Sequence, residues 1–154
     1  MSADTRLEEL GISLPPPPKQ LGIYKLMLQT GNLAYLSGHG PFLDDGSLMK
    51  GKLGVDLTLE EGQQVARQVG LNLLATLQNE LGTLDRVSRL VKSLALVSCS
   101  DDFFDQPSVV NGFSELFRDV FGDDAGVGAR SAMGTHALPG NIPVEIEIIV
   151  ELKH

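Results

Sequence analysis

The sequence predicts an α+β fold, a mixed sheet with two helices packed on one of its faces. Three observations predict it. A hairpin signal opens the patterned part of the chain. Two segments with helical periodicity lie in the middle, separated by an apolar strand. Two strand-like segments close the chain, the last with strict alternation. The order reads ββ(β)–α–β–α–ββ, with no alternating βα repeat and no internal duplication.

Residues 1–20 read as an N-terminal arm in front of a single domain over 21–154. Thr5 to Leu10 has the composition for one or two helical turns. Pro15 to Pro18 then impose an extended polyproline conformation, a stiff segment laid over the domain surface. Gly31-Asn32 sits between apolar runs, and both residue types tolerate positive φ. Strands are therefore expected near 23–30 and 33–38, joined by a tight turn. Asp44-Asp45-Gly46-Ser47 is a second turn signal, with a short strand expected near 48–53.

Thr58-Leu59-Glu60-Glu61 is a capping box. The Thr hydroxyl meets an orphan N–H, and the Glu three residues on reaches back. Val65, Val69, Leu73 and Leu77 form the buried stripe of the helix, which Gly82 ends. Val87 to Ser98 is an internal strand. Pro107 sits where a helix begins, because its missing N–H costs nothing there. Val110, Phe113, Phe117, Val120 and Phe121 give that helix its buried face, and Gly122 closes it. Ala129 to Ala137 and Val144 to Leu152 are the last two strands, expected to pair as a hairpin around Leu138–Asn141. In the final strand Val144, Ile146, Ile148 and Val150 share one face; Glu145, Glu147, Ile149 and Glu151 share the other.

The 154 residues suffice for one domain with a real core. The net charge of −8 argues against nucleic acid as a partner, since that affinity comes mainly from Lys and Arg. Cys99 is the only cysteine, so no intramolecular disulfide forms, and it reads as a buried structural thiol. A reducing, cytoplasmic location is the expectation. No stretch has the ~20 apolar residues a membrane span needs.

Strong catalytic signatures are absent: no GxSxG, HExxH, Walker loop or dinucleotide fingerprint occurs. His39, His136 and His154 are scattered. Arg130 stands out, flanked by the small residues of GARSAMG. A guanidinium binds a carboxylate through two parallel hydrogen bonds, so Arg130 is either a clamp for a small carboxylate or half of a structural ion pair. Glu145 lies on a face that also carries Ile149, which suggests that the face is partly covered, as in an oligomer. There a carboxylate could hold or deprotonate a water.

Four stretches carry a resemblance to a known family: Leu21–Gly38 (LGIY and TGNLAYLSG), Val110–Phe117 (VNGFSELF), Gly128–Gly134 (GARSAMG) and Ala137–Glu151 (ALPGNIPVEIEIIVE). In this order, and with Glu145 fifteen residues after Arg130, the chain resembles the RidA/YjgF family, also called YjgF/UK114-like or endoribonuclease L-PSP, in a longer branch. The resemblance implies a chorismate-mutase-like fold and a homotrimer with clefts between subunits. It also implies hydrolytic deamination of 2-imino or 2-enamino acids to 2-oxo acids with release of ammonia. Arg130 would then bind the substrate carboxylate and Glu145 would position the attacking water. Tyr24, Gly38 and Asn111 would line the cleft, with Ala132 where many members carry Cys. No cofactor or metal is implied. Two alternatives accompany this reading: a module that binds small carboxylic metabolites without turnover, and an endoribonuclease or translation inhibitor, which the negative charge opposes. In the expected hairpin, Arg130 lies opposite Val150 and Glu145 opposite Thr135. That separates them by on the order of 15 Å within one chain, so one cleft would take Arg130 from one subunit and Glu145 from its neighbour.

Overall fold

The computed structural model describes Met1 to His154. Helix α1 spans Ala3–Glu9. Strands β1 (Met27–Thr30) and β2 (Leu33–His39) follow, then α2 (Leu59–Leu81), β3 (Val87–Ser98), α3 (Gln106–Phe121), β4 (Ala129–Thr135) and β5 (Val144–Leu152). The five strands form one sheet in the order β1-β2-β5-β3-β4. Only β3 and β4 run parallel, joined by the crossover through α3; the other pairings are antiparallel. The α+β fold expected from the sequence is the observed one, and α1 forms where helical turns were expected, starting two residues earlier.

The expected β4–β5 hairpin does not form. β3 lies between the two strands, paired with β4 on one side and β5 on the other. Burial explains the choice. β3 buries Leu90, Ser93, Ala95 and Val97 almost completely, so it gains most from a neighbour on each side. β4 carries small and polar residues and no buried position, which suits an edge. Nor is there a strand at 48–53. Two isolated bridges, Phe42 to Leu48 and Leu53 to Cys99, hold that segment instead.

Local chemistry sets the helix ends as the sequence implies. Thr58 Oγ1 accepts from the Glu61 amide at 3.2 Å, and Glu61 Oε2 accepts from the Thr58 amide at 2.8 Å. Gly82 ends α2 at φ 82°. Pro107 is the second residue of α3. The two long helices approach very closely: a methyl group on Gly112 would sit 2.0 Å from the Gln63 carbonyl oxygen. The core between helices and sheet holds Leu73, Leu77, Phe113 and Phe117, the two phenyl rings 4.5 Å apart.

The N-terminal helix is tied into this core. Leu7 is buried, and two aspartates cap reciprocally. Asp85 Oδ1 accepts from the Ala3 amide at 2.7 Å, and Asp4 Oδ1 accepts from the Leu84 amide at 3.1 Å. Pro15 is buried on the domain surface, while Pro16 and Pro17 are exposed. No helix is long and apolar enough to cross a membrane.

Candidate functional site

The sheet has two faces, and the residues singled out in the sequence divide between them. Arg130 pairs with Ser93 of β3, whose side chain is buried on the helix face. Glu145 pairs with Leu96, three residues further along β3 and therefore on the opposite face. Two strand spacings and three residues along the strand separate them by on the order of 14 Å. One chain cannot bring both to one small ligand. The separation inferred from the sequence thus persists, although the hairpin that suggested it does not exist.

On the helix face, Arg130 reaches α3. Its Nη1 donates to Asn111 Oδ1 at 2.8 Å and to Ser114 Oγ at 3.1 Å. Both partners are neutral. The ion pairs in the chain are Arg6–Glu9, Arg89–Asp124 and Arg118–Asp119, so Arg130 keeps an unpaired charge. The structural ion pair considered from composition is absent. A cleft of about 340 Å³ lies here, lined among others by Asn111, Ser114, Gly128 and Arg130. Ala132, two residues on, rests its methyl group against the core.

On the other face, Tyr24, Gly38 and Glu145 line a cleft of about 470 Å³. Gly38 lies under the carboxylate: a methyl group there would meet Glu145 Cδ at 2.9 Å. A β-bulge makes this possible. Three steps on β2, from Leu36 to His39, face two on β5, from Ile148 to Ile146. The extra residue turns His39 inward and leaves Gly38 facing out. Burial raises the pKa of Glu145 above the ordinary value, and the adjacent Glu147 charge adds to the rise. The Tyr24 hydroxyl accepts from the Leu21 amide at 3.1 Å and keeps its own proton to donate.

A polar seam on α2 escaped the sequence reading, which saw only the apolar stripe. Gln68, Asn72 and Thr76 recur every four residues and face the end of β2 and the segment that follows it. Gln68 Nε2 donates to the Phe42 carbonyl at 2.7 Å. Asn72 Nδ2 donates to the Gly40 and Phe42 carbonyls at 3.2 and 3.0 Å. Thr76 Oγ1 lies 2.8 Å from His39 Nε2, while His39 Nδ1 lies 2.6 Å from the Ser37 carbonyl. A carbonyl only accepts, so Nδ1 carries the proton and Nε2 accepts from the Thr76 hydroxyl. Burial holds the imidazole pKa down, against the hydrogen bond to Ser37. His39 is therefore a neutral structural group that anchors the cleft floor. The available signal was the recurrence of Gln68, Asn72 and Thr76 every four residues, with Asn72 and Thr76 set among the apolar residues Leu71 to Leu77.

Comparison with known proteins fits this geometry. A family model described as "YjgF/chorismate_mutase-like, putative endoribonuclease" matches residues 4–152. The chain belongs to this family. It is 40% identical over 148 residues to protein TCP17 of Trypanosoma cruzi, covering 96% of this chain and 92% of that one. It is 29% identical over 143 residues to a 2-iminobutanoate/2-iminopropanoate deaminase of Dermatophagoides farinae, covering 92% and 95%. A solved structure from Shewanella oneidensis, also described as an endoribonuclease of the putative kind, superposes with a TM-score of 0.93 at 28% identity. It covers 99% of this chain and 100% of that one.

Proposed function

We propose that this YjgF-family protein hydrolyses small 2-imino or 2-enamino acids to 2-oxo acids, releasing ammonia, in sites shared between copies of the chain. One observation carries the reading. An uncompensated guanidinium and a carboxylate of raised pKa lie on opposite faces of one sheet, each beside an open cleft. Each half-site holds half of the chemistry. A neighbouring copy would bring the halves together, and a homotrimer is the assembly we infer.

Arg130, steadied by Asn111 and Ser114, holds the substrate carboxylate in its planar fork. This fixes the imine carbon beside the Glu145 of the next copy. The substrate reacts as the protonated imine, C=NH2+. Glu145 accepts a proton from water as the water oxygen bonds to this carbon and the C=N π electrons move to nitrogen, which gives a neutral carbinolamine. Glu145 then returns the proton to the nitrogen, making it –NH3+. The C–N bond breaks as Glu145 takes the hydroxyl proton, so the carbonyl forms and ammonia leaves, carrying that proton away as ammonium. A raised pKa brings the carboxylate closer to neutrality, where these proton transfers are easiest. Tyr24 offers its hydroxyl to the same space, and Gly38 leaves room for the carboxylate. Ala132 lines the Arg130 side of the joined site.

The test is complementation between two inactive variants. Arg130→Ala and Glu145→Gln are each expected to lose turnover. Mixed, unfolded together and reassembled in equal amounts, they should recover about a quarter of the wild-type rate, because random neighbours restore one site in four. No recovery from well-assembled mixtures would mean that the two residues do not share an intersubunit site. The mite deaminase supports the substrate class, and the charge of −8 continues to weigh against RNA.

A further inference from the structure

The Glu145 cleft is larger and more apolar than the smallest imino acids require. Phe42, Leu48, Pro139 and Ile142 make one continuous wall, and Glu145 is its only charged lining residue. A charged substrate side chain would find no partner here. An apolar one would lose its contact with water.

The wall is rigid. The segment from Pro41 to Met49 folds back on itself, closed by the Leu43 amide to the Ser47 carbonyl at 2.8 Å and the Met49 amide to the Pro41 carbonyl at 3.1 Å. The seam on α2 pins its start through the Gly40 and Phe42 carbonyls. Ile142 is 4% exposed, fixed against Gly40, where a methyl group would come within 3.1 Å of its Cδ1. Leu48 is seated against Gly140 in the same way, at 3.2 Å. The glycines let these side chains close the wall, so the apolar surface exists before a ligand arrives.

Building on the imino-acid reading above, we propose that this site selects 2-imino acids with an apolar side chain of four or more carbons. Those derived from leucine or phenylalanine would be preferred over those of alanine or serine. The substrate carboxylate sits at Arg130 of one copy, the imine carbon at Glu145 of the next, and the side chain lies along Phe42, Leu48 and Ile142.

The wild-type protein decides the matter. Imino acids are generated in situ by an amino-acid oxidase from alanine and from leucine, and the rate of ammonia release is compared. Each buried methylene is worth about fourfold, so kcat/KM for the leucine-derived imine should exceed the alanine-derived one by roughly 10- to 60-fold. Phe42→Ala and Leu48→Ala should each shrink that ratio several-fold. Equal rates for the two imines would overturn the selectivity while leaving the deaminase reading intact. If neither imine is hydrolysed, the deaminase reading fails, and calorimetry with the stable 2-oxo acids judges the wall alone. Binding of 4-methyl-2-oxopentanoate at least tenfold tighter than pyruvate would uphold it; equal or absent binding would overturn it.

Discussion

The two half-sites are built on opposite plans. The Arg130 half stands on an edge strand, exposed, and its guanidinium is held by neutral side chains alone. The Glu145 half stands on a central strand, half-buried, beside apolar residues and a second carboxylate. A cation in the open keeps its charge at little cost, and a partner copy can be fitted onto it. A carboxylate in a sheltered cleft resists ionisation, which suits a group that must take up and return a proton. In the proposed deaminase the chain would thus separate anchoring from proton transfer, placing the first where solvent is tolerable and the second where it is not.

The sharpest way to break this contrast is Arg130→Ala. With the carboxylate anchor gone, turnover of an imino acid should fall by at least ~100-fold, with far-UV circular dichroism unchanged. Retained turnover would remove Arg130 from the chemistry. Glu145→Gln should also cost about 100-fold in kcat but leave 2-oxo acid binding by calorimetry within a few-fold, since the anchor remains. In the wild type the acid limb of the kcat profile should lie above the ordinary carboxylate range, and the Gln variant should lack that limb.

Asn111→Ala probes the support of the anchor rather than the anchor. Losing one charge-assisted hydrogen bond of about 1.5 kcal/mol should raise KM roughly tenfold with kcat nearly preserved. A fall in kcat alone would contradict a positioning role. Thr76→Val reaches the floor of the other half. It leaves His39 Nε2 buried without a donor and should lower stability by about 1–2 kcal/mol in urea denaturation.

The smallest effects are in pH-dependent stability, and the two groups have opposite signs. His39 has a folded pKa below its ordinary 6.5, so its contribution is complete above 6.5 and is lost as pH falls through the folded value. Glu145 has a folded pKa above its ordinary 4.5. Its contribution is complete below 4.5 and is lost as pH rises through the folded value. For separated chains, Glu145→Gln should thus gain on the wild type as pH rises above 4.5. A flat difference between the two proteins would contradict the sheltered carboxylate.

Much of this was legible in the residues because it is local. The Thr58 box, the Gly82 stop, the position of Pro107 and the alternation of Val144 to Leu152 each depend on neighbours within a few positions. The partner of β4 is not local. Leu138 to Asn141 has every mark of a hairpin turn, and only the competition for the middle of the sheet decides that β3 takes the place between. The strand expected at 48–53 is likewise a question of non-local partners: its residues make only isolated bridges, among them Phe42 to Leu48 and Leu53 to Cys99. Within the site, Arg130 and Glu145 were visible as chemistry, whereas the floor under Gly40 and Phe42 was not. Its carbonyls accept from α2 side chains 26 to 32 residues away.

The bulge at Ser37–Gly38 has one more consequence. The surplus residue lets Leu36 and His39 both face the core although three positions separate them. Deleting Gly38 would leave composition and hydropathy almost untouched. It would close the bulge and keep His39 inward, opposite Ile146, as the second residue after Leu36. What it would remove is the bare backbone against which the Glu145 carboxylate lies, so the surplus residue serves the outer face rather than the core.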